Sequence, residues 1–321
     1  MAVILVNWNG RSDCEAAMSG LRSQTLNPQE LIVVDNGSTD GSREWFKEQP
    51  DVRLITNSVN CGFAVAVNQG IAATTSPLVM LCNLDVRLDP GFVKALATRL
   101  LTAADIGSAG GLLRSEVDDQ TVDSAGHLLH RSGWVSNRGH GSAGHYPVAE
   151  EVFGVTAAAA MYRREMLLDV ALSGEVMCEA FFAYLEDVDL DWRAQWRGWR
   201  SFLEPLATAS HRRGGTGLHR TAMIERHVLA NRILLLVRNA PSAWFRGSRL
   251  VGVLILIALR VGLAGLRHPS SLIGLLDCAR RLGESRSARR QIMAGRRVPE
   301  SRIDSWAEPT PWRPLVRSHL R

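Results

Sequence analysis

Apolar and polar positions alternate along the first hundred residues in two distinct periods. Short apolar runs, AVILVN at 2–7, LIVVD at 31–35, VRLIT at 52–56 and PLVMLCNLD at 77–85, read as buried strands. Between them, 13–24, 42–48 and 63–73 carry helical spacing, and the turn NGSTDGS offers Ser, Thr and Asp as caps for the second helix. Asp89-Pro90 predicts another helix start, with Asp as the cap and Pro at the first position. Continuous apolar strands separated by helices predict an α/β fold with a parallel sheet covered on both faces. Ligands of such sheets bind beyond the carboxyl ends of the strands. Asn7, Asp35 and Asp85 finish three of those strands, so they converge on one crevice.

Residues 113–150 break the pattern. Gly, Ser, His and Asp dominate there, which predicts a long, partly mobile insertion carrying Trp134 and Tyr146 over the substrate. The segment 153–165 returns to strand and then helix, 181–196 carries a carboxylate cluster, SFLEP is a short strand, and 211–215 (HRRGG) reads as a flexible turn. From His219 the chain reads as helical. The run LVGVLILIALRVGLAGL at 250–266 is strongly apolar but interrupted by Arg260. A bilayer span needs about 20 apolar residues, so an interfacial helix is expected, with a buried helix or a true span as alternatives. The Arg-rich stretch 280–321 reads as a basic extension or as disorder. The expected division is a main domain over 1–217, with 113–150 as its insertion, and a helical region over 218–321.

Charge sharpens this division. Residues 1–211 carry 16 Lys and Arg against 26 Asp and Glu, whereas 212–321 carry 21 Arg against 6 acids. An acidic catalytic part and a basic attachment part are implied, with an anionic membrane surface favoured over nucleic acid as the partner. The five cysteines are odd in number and lack metal-ligand spacing, and the opening apolar run is too short for a signal peptide. A cytoplasmic protein at the inner face of the cell membrane is the expectation.

Two constellations carry chemistry. Asp85 ends an otherwise apolar strand, where a carboxylate is poorly explained by packing; a turn or capping role is the alternative. Asp35, in Asp-Asn-Gly-Ser, has good turn chemistry as its alternative. Glu186, Asp187, Asp189 and Asp191 lie within six residues, and on a helix Asp187 and Asp191 share a face. Such crowding raises a carboxylate pKa and suits a general base, although an acidic first turn favoured by the helix dipole is the bland reading. Arg193, Arg197 and Arg200 then read as solvated partners. His211 by itself is weak evidence. The glycines of GSTDG match neither phosphate-loop pattern.

Six collinear segments, VVDNGSTDGS, NCGFAVAVNQGI, LCNLDVRLDPGF, GWVSNRG, FGVTAAAAMYRREML and FFAYLEDVDLDWRAQWRGW, together resemble the family-2 glycosyltransferases, particularly their rhamnosyltransferase-like branch. The resemblance implies a GT-A nucleotide-binding domain and inverting, metal-dependent transfer. The implied donor is a nucleoside-diphosphate sugar, dTDP-rhamnose favoured, and the acceptor a cell-envelope glycan or polyprenyl-linked hydroxyl. It implies Asn7, Asp35, Asn68, Asn83, Asp85, Trp134 and Arg138 as donor-binding residues. It implies Asp85 and His211 as ligands of Mg²⁺ or Mn²⁺, Asp187 as the base and Glu186 as a residue that helps hold the acceptor or the base. Asn83 departs from the Asp common at that place in the family, and Leu84 stands where the rhamnosyltransferase-like branch usually has Pro. Nucleotidyl transfer, or a non-catalytic membrane protein on the same fold, are the competing classes; the first lacks its Gly-rich basic loop here.

Overall fold

In the computed structural model, residues 1–213 and 221–310 are described. The strands are β1 Ala2–Asn7, β2 Glu30–Asn36, β3 Val52–Asn57, β4 Leu78–Cys82, β5 Val86–Leu88, β6 Ile106–Ser115, β7 Val122–Ser124, β8 His127–Leu129, β9 Val135–Asn137, β10 Glu150–Val152, β11 Ala159–Arg163 and β12 Arg200–His211. The helices are α1 Cys14–Arg22, α2 Ser42–Lys47, α3 Phe63–Ala72, α4 Phe92–Leu101, α5 Arg164–Asp169, α6 Glu186–Arg197, α7 Ala222–Asn239, α8 Gly247–Arg267, α9 Ile273–Ala294 and α10 Glu300–Asp304.

The main sheet runs β10-β12-β6-β11-β4-β1-β2-β3. Its β4-β1-β2-β3 half is parallel, as the apolar runs predict, and β12 also lies parallel to β6. β11 enters antiparallel between β4 and β6, which makes the sheet mixed. Alternate residues of the strands face opposite layers. Val3, Leu5, Val33, Met80 and Cys82 pack with α1 and α4, while Ala2, Ile4, Ile32, Val34, Val79 and Leu81 pack with α3 and α5.

Several boundaries differ from the sequence expectations. β4 stops at Cys82, and Asn83 donates its backbone N–H to the Ala158 carbonyl, so Asp85 lies on a turn beyond the strand. α4 begins at Phe92 with Gly91 as its cap; Asp89 and Pro90 precede it, and the Asp89 carbonyl accepts from Phe92 N–H. His211 is the last residue of a twelve-residue strand, not part of a turn. Residues 113–150 contain the end of β6, then β7, β8 and β9, with Val122, Asp123, Ser124, His127 and His130 buried. The buried polar residues among them pair with other elements, Asp123 with His211 and His127 with Asp191, whereas 116–120 and 140–143 are exposed. Arg193, expected in solvent, is buried against Asp189.

The expected division at 217/218 lies outside the described residues. On either side of it a third core is shared: Leu129, Phe153, Trp192 and Trp196 pack with Leu234, Trp244, Cys278 and Ile292. Within the described residues the Arg-rich stretch forms the end of α9 and α10, and Glu308 N–H donates to the Leu129 carbonyl; residues 311–321 lie outside the description. α8 is a single helix of 21 residues, about 31 Å long. Val251, Leu254, Ile255 and Leu266 are exposed on it, whereas Arg260 is buried against the protein. The residue that interrupts the apolar run therefore leaves the outer face unbroken.

Candidate active site

β1 and β2 lie in register with Asn7 beside Asp35, as two polar residues ending adjacent apolar strands should. Both are wholly buried. Asn7 Nδ2 donates to Asp35 Oδ2 at 2.6 Å and reaches Ser42 Oγ at 2.8 Å and Ser38 Oγ at 3.1 Å. Asp35 Oδ1 accepts from Ser38 N–H at 3.0 Å. The pair thus fixes the two loops that wall the crevice, 8–13 and 37–41. Gly37 has a φ of 77°, and a Cβ there would come within 2.8 Å of the Val59 backbone, so the turn needs glycine.

The second group forms where the β4 turn meets the end of β12. His211 Nε2 lies 3.3 Å from Asp85 Oδ1, and its Nδ1 lies 2.8 Å from Asp123 Oδ2. Asp123 also pairs with Arg213 and lies 3.6 Å from His140 Nδ1. Burial alone would raise the Asp123 pKa, but hydrogen bonds from His140 and His211 and the Arg213 charge hold it well below the usual carboxylate range. For His211 burial favours the neutral ring, yet hydrogen bonds to Asp123 and Asp85 push it up to about 9. A carboxylate behind an imidazole is the usual outer support of a metal-ligating histidine. Octahedral Mg²⁺ holds oxygens at about 2.1 Å, which places neighbouring ligands roughly 3 Å apart, and the 3.3 Å between Asp85 and His211 fits such an edge. Among the described residues no cluster of three ligands exists. Asp85 and His211 would therefore hold an ion only together with oxygens from a bound substrate or water.

The third group opens α6, which carries Glu186, Asp187 and Asp189 in its first turn. The carboxylates of Asp187 and Asp191 share a face, and His127 of β8 stands between them. Its Nδ1 is 2.6 Å from Asp191 Oδ2 and its Nε2 is 3.8 Å from Asp187 Oδ2. Burial pushes Asp191 up to about 7 despite the hydrogen bond to His127. For His127 burial acts downward, but Asp191 and Asp187 prevail and its pKa is raised. Asp187 Oδ2 also accepts from Ala157 N–H at 3.2 Å. Glu186 is buried, and its Oε2 has no hydrogen-bond partner among the described residues. Burial and then the Asp187 charge push its pKa well up, which favours the protonated form. Asp189 plays a structural part instead. Wholly buried, it binds Arg193, Arg238 and Asn239 and ties α6 to α7.

The remaining sequence candidates are placed as follows. Asn68 is engaged at both ends of its amide by the 177–179 segment, donating to the Met177 carbonyl and Glu179 and accepting from Met177 N–H. Asn83 sits at the turn before Asp85. Arg138 pairs with Glu150 at 2.7 Å and lies over Tyr146. Trp134 makes its ring contacts with Arg232 of α7 and Arg260 of α8, not with the Asn7–Asp35–Asp85 group. Sequence reasoning missed Asp123 and His127. Neither carried a strand signal, because Val122-Asp123-Ser124-Ala125 does not alternate and lies in Gly-rich surroundings. It also missed Gly154, where a Cβ would come within 1.9 Å of Asp191 Oδ2.

Comparison with known proteins supplies a family context for this geometry. The profile of "Glycosyl transferase family 2" matches residues 2–170, which include Asn7, Asp35 and Asp85 but stop short of α6 and His211. The N-acetylglucosaminyl-diphospho-decaprenol L-rhamnosyltransferase of Mycobacterium tuberculosis is 27% identical over 274 residues, covering 77% of this chain and 86% of that protein. A poly-beta-1,6-N-acetyl-D-glucosamine synthase of Staphylococcus aureus is 23% identical over 64% of this chain and 48% of its own length. Among solved structures, GalNAc-T7 with UDP, GalNAc and Mn²⁺ superposes with a TM-score of 0.61 at 12% identity, over 88% of this chain and 57% of that one. The mannosyltransferase PcManGT of Pyrobaculum calidifontis with GDP-Man and Mn²⁺ gives 0.52 at 16% identity, over 92% and 85%. The fold is accordingly the GT-A arrangement that the sequence implies, with a helical C-terminal part.

Proposed function

We propose that this chain, which belongs to glycosyl transferase family 2, transfers rhamnose with inversion from a nucleoside diphosphate to a hydroxyl of a lipid-linked glycan. Family membership makes it a glycosyltransferase, in place of the nucleotidyl-transfer and non-catalytic alternatives. The observation that carries the finer reading is the pairing of two sites. One is the Asp85–His211 edge at the strand ends; the other is the Asp187–His127–Asp191 array at the start of α6.

In this reading Asp187 Oδ2 takes the proton of the acceptor hydroxyl as that oxygen bonds to the anomeric carbon. The bond from that carbon to the diphosphate oxygen breaks in the same step, and the diphosphate leaves with its electron pair. His127 orients Asp187, and protonated Glu186 offers a hydrogen bond beside it. Asn7 and Asp35 fix the loops that receive the nucleoside. Asn83, Asn68 and Arg138 are assigned to the donor side as expected from the resemblance, whereas Trp134 belongs with the arginines of α7 and α8. Asp85 and His211 would hold Mg²⁺ or Mn²⁺, which when bound neutralises charge on the departing diphosphate.

The mycobacterial relative's name supports rhamnose and a polyprenyl diphosphate acceptor. The apolar outer face of α8, on a region with 21 Arg, supports a place at the inner surface of the membrane. An Asp187→Asn protein tests the assignment. It should bind nucleotide as the wild type does while losing about 10²–10⁴-fold in transfer; wild-type turnover by this variant would sink it. A thermal-shift panel of dTDP, UDP and GDP with Mg²⁺ or Mn²⁺ tests the donor, since only a bound ligand raises the melting point.

A further inference from the structure

The residues that lead into α6 adopt backbone angles that side chains disfavour. Phe182, Tyr184 and Leu185 have φ of 63°, 74° and 70°. A bulky L residue seldom takes positive φ, and glycine is the usual choice where a loop needs it. Phe182, with ψ of −66°, stands at the centre of a γ-turn of the rare, strained form. Ala183 N–H closes that turn by donating to the Phe181 carbonyl at 2.7 Å. Leu185 is the cap of α6, and its carbonyl accepts the Asp189 N–H at 2.9 Å. These angles set the direction in which α6 starts, and so the placing of Glu186 and Asp187. Such outliers persist only where surrounding contacts over-determine them, and they gather at functional sites.

Those contacts come from outside the segment. Asn231 of α7 is wholly buried, and its Nδ2 donates to the carbonyls of Phe181 at 2.8 Å, Tyr184 at 2.9 Å and Ala183 at 3.0 Å. Two N–H bonds thus serve three carbonyls. His227, one turn earlier on α7, stacks on Phe182 with centroids 5.0 Å and planes 12° apart. Ala64 N–H of α3 donates to the Phe182 carbonyl at 3.1 Å, and Arg281 of α9 to that of Ala180. Asn231 Oδ1 has no hydrogen-bond partner among the described residues. A buried amide with its acceptor unmatched is a poor stabiliser, and its donor end is what the segment uses.

We infer that Asn231 is a positioning residue for transfer: by holding the carbonyls of Phe181, Ala183 and Tyr184 it keeps the positive-φ backbone that aims Asp187. This rests on the reading of Asp187 as the base. α7 lies beyond the stretch 2–170 that the family profile matches. The helical C-terminal part therefore takes part in assembling the active site, in addition to any role at a membrane.

The test uses the full-length chain with Asn231→Asp, Asn231→Ala and His227→Ala. Aspartate keeps the shape of asparagine but, ionised, offers the three carbonyls no donor. Single-turnover transfer is measured from dTDP-rhamnose to a polyprenyl-diphosphate-linked N-acetylglucosamine, the substrates of the proposed reaction. Nucleotide affinity, urea melts and amide exchange are measured beside it. Both Asn231 variants should lose about 100-fold in kcat, the effect of misplacing a reacting group by about 1 Å, and His227→Ala should lose less. Nucleotide affinity should hold, and exchange at the Ala183 and Asp189 amides should quicken ahead of the rest of α6. Leu185→Gly added to Asn231→Ala should raise kcat again while lowering stability further. Glycine takes a φ of 70° freely but gives up the packing of the leucine. A purely structural asparagine predicts a further fall in both, and that result overturns the inference. Leu256→Ala, which empties a buried position on α8, lowers stability without touching these hydrogen bonds and should leave kcat unchanged. Wild-type kcat in Asn231→Asp, an equal kcat loss in Leu256→Ala, or nucleotide affinity falling in step with kcat would also overturn it. If the Asn231 variants do not fold, His227→Ala decides, and unchanged kcat with unchanged Ala183 exchange defeats the inference. A wild-type chain without transfer defeats the proposed reaction alone, because amide exchange reads the hold on the segment with no substrate present.

Discussion

Removing the imidazole between the two carboxylates of α6 has consequences that follow from the geometry. In His127→Ala, Asp191 loses a 2.6 Å partner and Asp187 loses the imidazole 3.8 Å away. Breaking a buried ion pair costs about 3–5 kcal/mol when the stranded charge must stay ionised. Asp191 has an escape: pushed up to about 7 even with the histidine present, it takes up a proton at neutral pH. The remaining loss is one charge-assisted hydrogen bond, about 1.5–3 kcal/mol. Stability should therefore drop by about that much near neutrality, and by more in alkaline buffer, where keeping the proton on Asp191 costs about 1.4 kcal/mol per pH unit. For catalysis, Asp187 keeps its backbone contacts, from Ala157 N–H on Oδ2 at 3.2 Å and from Val188 N–H on Oδ1 at 2.8 Å, but loses its side-chain neighbour. The base is retained and less firmly oriented, so kcat should fall by about 10–100-fold, the usual effect of deleting such a supporting group. Nucleotide affinity should not change, because Asn7, Asp35 and Asp85 lie elsewhere. Single-turnover transfer, nucleotide calorimetry and urea melts at two pH values measure the three quantities. A double-mutant cycle with Asp191→Asn should give a coupling of about 1.5 kcal/mol or more. The reasoning fails if kcat stays within about twofold of wild type, or if nucleotide affinity falls in step with kcat.

Three further outcomes follow. Asp85→Ala should abolish the metal dependence of nucleotide binding in calorimetry; identical affinities with chelator and with Mn²⁺ in the wild type would contradict the Asp85–His211 assignment. Gly154→Ala forces Asp191 away from His127, because the added carbon falls 1.9 Å from its Oδ2. It should cost about 1–3 kcal/mol in urea melts and lower kcat; a neutral variant would show that the array tolerates displacement. Glu186 and Asp191, pushed up to about 8 and about 7 from ordinary values of 4.5 and 3.8, hold protons in the native state that the unfolded chain releases. Their contribution to stability is thus present in acid and lost as pH rises to about 8. Thermal melts should show Tm declining across that window, and Glu186→Gln should flatten the decline.

The parallel half of the sheet was legible because β1, β2 and β4 are buried on both faces and read as unbroken apolar runs, with β3, exposed at Arg53 and Thr56, as its edge. Asn7 and Asp35 were legible for the same reason, as polar residues ending such runs. The 113–150 region was not. Its buried polar residues pair with distant partners, Asp123 with His211 and His127 with Asp191, and burial by ion pairing leaves no hydrophobic period. The carboxylate crowding on α6 could be seen in sequence, but not its relief, since His127 is 64 positions from Asp191. Arg260 misled in another way: a charge within an apolar run says nothing about which side of the helix it occupies.

The Asp189 knot, with Arg193, Arg238 and Asn239 closed around it, bears on cooperativity. It is wholly buried and joins the helix that carries the base to the first helix of the C-terminal part. Opening that seam would part Arg238 and Asn239 of α7 from the buried Asp189–Arg193 pair of α6. No fragment ending before α7 keeps the knot, and the family-matched stretch 2–170 lacks even α6. The chain should therefore unfold calorimetrically as a single transition, and it offers no separable catalytic piece to be expressed alone.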